Sequence, residues 1–172
     1  MQKTRFPAVI STFILCMAFW VLLTWSFELQ ELATGAVVSL AVALFSARFF
    51  IHEKAFWLLN PAKFGALFAY VFVFLWELLK ANWDVAKRCY GGCKNINPGI
   101  VKVPVNVKSD YGRSLLSNSI TLTPGTITME AVEEDGQAYY YIHWIDVTAE
   151  SGEAAGDAIK GTLEKWAGRI FE

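Results

Sequence analysis

Three apolar runs followed by a short-period pattern organise this chain. Phe6–Phe27 is twenty-two residues without a charge. At ~1.5 Å per residue a helix of that length covers roughly 33 Å, enough for the ~30 Å hydrocarbon core of a bilayer. Leu32–Ala47 gives a second uncharged run of sixteen residues, and Phe49, Phe50 and Ile51 extend it if Arg48 snorkels to the interface. Between them lie only Glu28, Leu29, Gln30 and Glu31, so the pattern predicts a membrane α-helical hairpin, spans about 6–27 and 32–51, joined by a tight acidic turn. The turn carries no Lys or Arg, whereas Lys3, Arg5, Arg48 and Lys54 lie at the far ends. The positive-inside bias then puts both ends of the hairpin in the cytoplasm. The first run is longer than a signal-peptide core and ends in Trp25-Ser26-Phe27 rather than a small-x-small site, so an uncleaved span is expected.

The third run, Phe64–Trp76, has only thirteen uncharged residues, a length at which an interfacial or protein-buried helix competes with a span. Pro61 after Asn60 opens it, and it continues to about residue 83 through Glu77 and Lys80. A third crossing would carry Lys80, Lys87, Arg88 and Lys94 outside, against the charge bias. The expectation is therefore two spans plus a third membrane-associated helix, about 61–83, lying along the membrane or on a neighbour. A tilted crossing, with Glu77 and Lys80 paired, stays open.

Past Tyr90–Gly99 the period changes. Val101, Val103, Val105 and Val107 alternate with Lys102, Pro104, Asn106 and Lys108, a half-buried strand in which Pro104 marks an edge. Asp110 is read as the N-cap of a short helix to about Asn118, Thr121–Thr123 as extended, Pro124-Gly125 as a type II turn, and Thr126–Val132 as a strand. Asp135-Gly136 marks a type I′ hairpin, Ala138–Val147 the return strand, and Ile159, Leu163, Trp166 and Ile170 one face of a closing helix. The second region, 95–172, is thus predicted to be a small α+β cytoplasmic domain of order β-α-β-β-α, after a membrane region over 1–94.

Charge divides the chain at the same place: residues 1–94 carry nine Lys/Arg and five Asp/Glu, residues 95–172 six and eleven. Candidate chemistry is sparse. His52 and His143 are the only histidines and fall in different regions, and Cys89 and Cys93 lack zinc spacing and a second pair. These readings leave no catalytic, cofactor or metal residues to assign, and both cysteines are expected as free thiols, with Cys16 in the membrane core. His143 on a strand reads as structural. Glu28 and Glu31 read as solvated loop charge. Glu77 is the candidate ion-path carboxylate, because charge at membrane depth is costly; an ion pair with Lys80 is the preferred reading. Gly35, Ala36, Ser39 and Ala43 offer close helix packing. No nucleic-acid partner is expected; the bilayer and other subunits are.

The run Leu115–Thr126, LLSNSITLTPGT, with Asn97-Pro98-Gly99-Ile100-Val101, Ser109-Asp110 and Tyr141–Val147, resembles the E subunit of Mrp-type (Mnh, Pha) multisubunit sodium/proton antiporters. The likeness covers essentially the whole chain. It implies a noncatalytic accessory subunit of a monovalent cation (Na+)/proton antiporter complex in the cell membrane, with ion translocation residing in larger subunits. A closely related subunit occurs in membrane-bound hydrogenases and related redox-driven complexes, so that home is the alternative; a membrane-anchored binding module is the third reading. Asn118, Ser119, Thr121 and Thr123 are expected to bond local backbone while Pro124 and Gly125 set the turn. A partner-docking role for the same residues stays open.

Overall fold

A computed structural model describes residues 6–50, 60–92, 96–148 and 152–172, without the side chains of 47–50. Lys3, Arg5, Ile51, His52, Lys54, Cys93 and Lys94 lie outside the described residues, as do the side chains of Arg48, Phe49 and Phe50. The elements run α1 (Phe6–Thr24), α2 (Leu29–Phe50), α3 (Pro61–Tyr90), β1 (Gly99–Val105), α4 (Asp110–Leu122), β2 (Thr126–Glu134), β3 (Gln137–Trp144) and α5 (Glu153–Phe171). Among the described residues, α1, α2 and α3 are each long and apolar enough to cross a membrane. The chain forms two compact units, Met1–Asn60 and Pro61–Glu172. The break in charge at 94/95 therefore falls inside the second unit, which takes in α3.

In the first unit α1 and α2 pack as a hairpin. Gly35, Ser39 and Ala43, four residues apart, are buried, so the small-residue stripe is used within the hairpin, opposite Ala8 and Thr12 on α1. A methyl group at Gly35 would lie 2.5 Å from Trp20 Cδ1, so only glycine admits the indole there. Thr12 returns its hydroxyl to Ala8 O at 2.8 Å, which removes the polarity of a buried side chain. The helix ends where Trp25 turns left-handed (φ 49). Glu31, expected in the connecting turn, instead stands in the first turn of α2, where a negative charge complements the exposed backbone N–H groups.

In the second unit the β-α-β-β-α order is observed after α3. The sheet is antiparallel, order β1-β3-β2, so β1 with Pro104 is an edge strand. Its register sets Val101 opposite Ile142, Val103 opposite Tyr140 and Val105 opposite Ala138. These six are buried beneath α4 and α5, with Leu116, Ile120, Leu163, Ala167 and Ile170 completing the core. The other face carries Lys102, Tyr139, Tyr141 and His143. Lys102 Nζ sits 4.3 Å from the Tyr139 ring centre and bonds Glu134. That hydrogen bond raises the Lys102 pKa, partly offset by desolvation. The two-residue hairpin turn has φ 51 at Asp135 and φ 79 at Gly136, as a type I′ turn requires.

Three local expectations are corrected. Ser109, not Asp110, is the N-cap of α4: its hydroxyl accepts from Gly112 N at 3.4 Å, and Asp110 is the first helical residue. Thr121 and Leu122 are helical rather than extended, and Thr123 is the C-cap. Leu116, Ser119, Ile120 and Thr123 keep the helical spacing on the buried side, and core packing outweighs the β preference of Ile120 and Thr121. On α5, Lys160 and Ala167 are buried with Leu163 and Ile170, whereas Ile159 and Trp166 are half-buried. The Lys160 ammonium pairs with Glu164, whose other oxygen accepts Asn106 N at 2.7 Å. That pairing lets a lysine occupy the inward position.

Candidate functional site

The signature run forms the corner between α4 and β2. Ser119 Oγ donates to Leu115 O at 2.7 Å, and Thr121 Oγ1 donates to Ser117 O at 2.9 Å while accepting Thr128 N at 3.2 Å. Thr123 Oγ1 and Thr126 Oγ1 both donate to Ile120 O, each at 2.7 Å, closing the last turn of α4. The orphan carbonyls of a helix end are thereby satisfied by side chains. Gly125 has φ 98, and its carbonyl accepts Ile145 N at 2.8 Å, stitching the turn to the end of β3. A methyl group there would meet Ile145 Cγ2 at 3.0 Å and Val85 Cγ2, on α3, at 3.6 Å. Asn118 points away from this network and is exposed, as is Leu122 one turn later.

Three connections fasten α3 to this corner and its surroundings. Tyr70 donates to Ser119 Oγ at 2.6 Å. Lys63 Nζ donates to Arg169 O, near the C-terminal end of α5, at 3.0 Å. Arg88 Nε bonds Asp84 Oδ2 at 2.9 Å while its NH1 reaches Asp146, just past β3. Asp146 also accepts Asn97 N at 3.3 Å, so one carboxylate joins α3, the entry to β1 and the exit from β3. Tyr70 and the pairings Arg88–Asp146 and Lys160–Glu164 have no counterpart in the sequence reading. Their partners are 49 or more residues away for Tyr70 and Arg88–Asp146, beyond the reach of local spacing. The four-residue Lys160–Glu164 spacing was visible, but not its burial.

The remaining residues separate rather than converge. Glu77 Oε2 lies 2.7 Å from Lys80 Nζ on α3. His143 is half-buried on the uncovered sheet face, across from Ile100 and Ile127. Cys16 and Cys89 are free thiols, Cys89 exposed. Among the described residues, no group of three or more His, Cys, Asp or Glu side chains could hold a metal ion. Burial pushes the Tyr140 phenol up to about 12, the Arg113 charge opposing. Its hydroxyl donates to Arg113 O at 2.7 Å. Arg113 in turn bonds Val107 O and Glu133. These are structural roles for polar groups, joined by backbone hydrogen bonds.

Comparison with known proteins gives the same picture over nearly all of the chain. The family model described as Na+/H+ ion antiporter subunit matches residues 13–170. The E subunit of the Na(+)/H(+) antiporter of Alkalihalophilus pseudofirmus is 37% identical over 128 residues, 74% of this chain and 77% of that protein. The E1 subunit of the Na(+)/H(+) antiporter of Staphylococcus haemolyticus is 35% identical over 157 residues, 91% of this chain and 92% of that protein. Among solved structures, a chain of the membrane-bound sulfane sulfur reductase, an archaeal respiratory membrane complex, superposes with TM-score 0.81 at 40% identity, covering 96% of this chain and 99% of that one. The resemblance carried by the LLSNSITLTPGT run is thereby confirmed, and the chain belongs to the Na+/H+ ion antiporter subunit family.

Proposed function

We propose that this protein is a noncatalytic accessory subunit of a multisubunit membrane complex that exchanges a monovalent cation, sodium, for protons. One observation carries this reading: the similarity to antiporter E subunits runs through the hairpin and the C-terminal domain together, 91% of the chain in one relative. In this reading α1 and α2 anchor the protein among its partners. The N-terminus and the C-terminal domain both face the cytoplasm, since the basic residues lie at the open end of the hairpin and the acidic, Lys- and Arg-free turn at the other. The signature residues Ser119, Thr121, Thr123, Pro124 and Gly125 build a rigid corner with Thr126, because four neighbouring hydroxyls are consumed in bonds within it, while Asn118 stands exposed outside that network. Glu77 serves α3 as half of an ion pair rather than as a station for moving cations.

A second home has its own support. The 40% identity to a chain of a respiratory complex is higher than that to the antiporter relatives quoted above, which favours a redox-driven assembly as the alternative. Purification through a C-terminal tag in mild detergent, with mass spectrometry of the co-eluting chains, separates the two. Antiporter subunits alone support the first reading, added redox subunits the second. A solitary chain contradicts both.

A further inference from the structure

We propose that α3 does not cross the bilayer but lies along its surface, with Phe64, Phe68, Phe72, Trp76, Leu79 and Trp83 sunk into one leaflet and its opposite face carrying the C-terminal domain. The six side chains recur every three or four residues, so they share one side of the helix. Each is between 59% and 66% exposed, so together they form a long uncovered apolar stripe on the second unit.

The other side of α3 is fastened to the domain at four positions, two toward each end of the helix. Lys63 meets Arg169, Tyr70 meets Ser119, Val85 lies beside Gly125, and Arg88 meets Asp146. The first and last of these positions are roughly 37 Å apart on a helix rising ~1.5 Å per residue, more than the ~30 Å of a hydrocarbon core. Because α5 packs against α3, a crossing that kept these contacts would bring α5, a helix with exposed charges such as Asp157 and Lys165, against the bilayer. Ionised groups there are strongly disfavoured. A helix covered by protein on one side and lipid on the other also accounts for the apolar composition all round α3, which by hydropathy alone looks like a span.

Charge selects a leaflet, rather than another apolar protein surface, as the cover. Lys80 and Lys87 are exposed beside the stripe, and the Lys87 ammonium stands 5.7 Å over the Trp83 ring. A headgroup layer solvates and attracts those cations while indole rings sit at its boundary; a dry protein seam would strip their water. The inference rests on the hairpin's crossing of the bilayer and is independent of which complex holds the protein.

The test uses the full chain in nanodiscs of phosphatidylglycerol and phosphatidylethanolamine, with Cys16, Cys89 and Cys93 replaced by serine. Nitroxide labels are placed singly at Phe64→Cys, Phe72→Cys, Trp83→Cys and, as a water-exposed reference, Thr162→Cys. Oxygen and nickel-chelate accessibility is expected to place the three α3 labels at one shallow depth and the α5 label in water. A label at Phe72 near the midplane, with those at Phe64 and Trp83 toward opposite surfaces, would establish a span and overturn the proposal. Three labels shielded from both reagents would overturn it in favour of a protein cover. Should a variant misfold, photolabelling of the unaltered protein by lipids carrying the diazirine either near the glycerol backbone or at the acyl-chain end reads the same point: adducts on Phe64, Phe72 and Trp83 alike from the shallow probe support it, and adducts on Phe72 from the deep probe with Phe64 and Trp83 from the shallow one refute it.

Discussion

The hairpin helices and α3 are each long and apolar enough to cross a membrane, yet different forces hold them. α1 and α2 meet through small residues, Gly35, Ser39 and Ala43, with Trp20 laid over Gly35. Little hydrophobic driving force acts between helices already in lipid, so close van der Waals approach does the joining. α3 meets its domain through side chains with polar ends, Tyr70 to Ser119 and Arg88 to Asp146, a chemistry suited to a helix with one side out of lipid. Hydropathy measures how much apolar surface a helix has; the partner on each side decides where that helix sits.

Substitutions can break this contrast from either side. The largest effect is expected at the corner: Gly125→Val forces a β-branched residue into φ 98 against Ile145 and should cost roughly 2–4 kcal/mol. Chemical unfolding of the second unit, followed by near-ultraviolet circular dichroism, should shift while hairpin helicity stays. An unchanged midpoint would remove the turn from the account.

Alkali should likewise act on the domain. Tyr140 keeps its proton in the folded protein up to about pH 12, whereas an unfolded tyrosine loses it near pH 10. Stability is therefore fully present below pH 10 and declines between pH 10 and 12, by about 2–3 kcal/mol at 1.36 per unit. Tyr140→Phe should flatten that decline while losing about 1 kcal/mol at neutral pH with its hydrogen bond. A decline equally steep in the variant would assign it to other groups.

Gly35→Leu tests the hairpin alone. Trp20 must be expelled from its position, at about 1–3 kcal/mol, and cross-linking between α1 and α2 should fall with the domain's unfolding midpoint unchanged. Arg88→Ala leaves Asp146 without its guanidinium. The two side chains are 26% and 18% exposed, so the loss is put at about 1–2 kcal/mol, less than for a fully buried pair. Protease cleavage between α3 and β1 should accelerate. Smallest is Glu77→Gln, expected below about 1 kcal/mol, with sodium/proton exchange by the purified complex preserved. Normal assembly with lost exchange would make Glu77 part of the ion path.

Much of this architecture was legible in the sequence because it is written at short range. The two-residue alternation of Val101–Val107, the Asp135-Gly136 turn and the positive φ of Gly125 each follow from neighbours in the chain. The sequence places the end of α4 too early because its Ser and Thr residues carry weak helix preference, and the burial of Ser119, Ile120 and Thr123 that overrides it comes from packing on α5 and the sheet and from Tyr70 on α3. Asp146 read as one polar residue in an aromatic strand, since Arg88 and Asn97, which give it meaning, lie far off along the chain. The LLSNSITLTPGT run located the corner; Tyr70, which fastens it to α3, carried no local signal.

Sidedness tests the central claim, two crossings with α3 and its domain together on the inner surface, most directly. Thr162→Cys in a background lacking Cys16, Cys89 and Cys93 is exposed to a membrane-impermeant maleimide, alongside a chain bearing its one cysteine before Phe6. The account predicts that both are protected in intact cells and both react in inverted vesicles. Reaction of Thr162→Cys from outside, with the N-terminal cysteine protected, would mean a third crossing and contradict it.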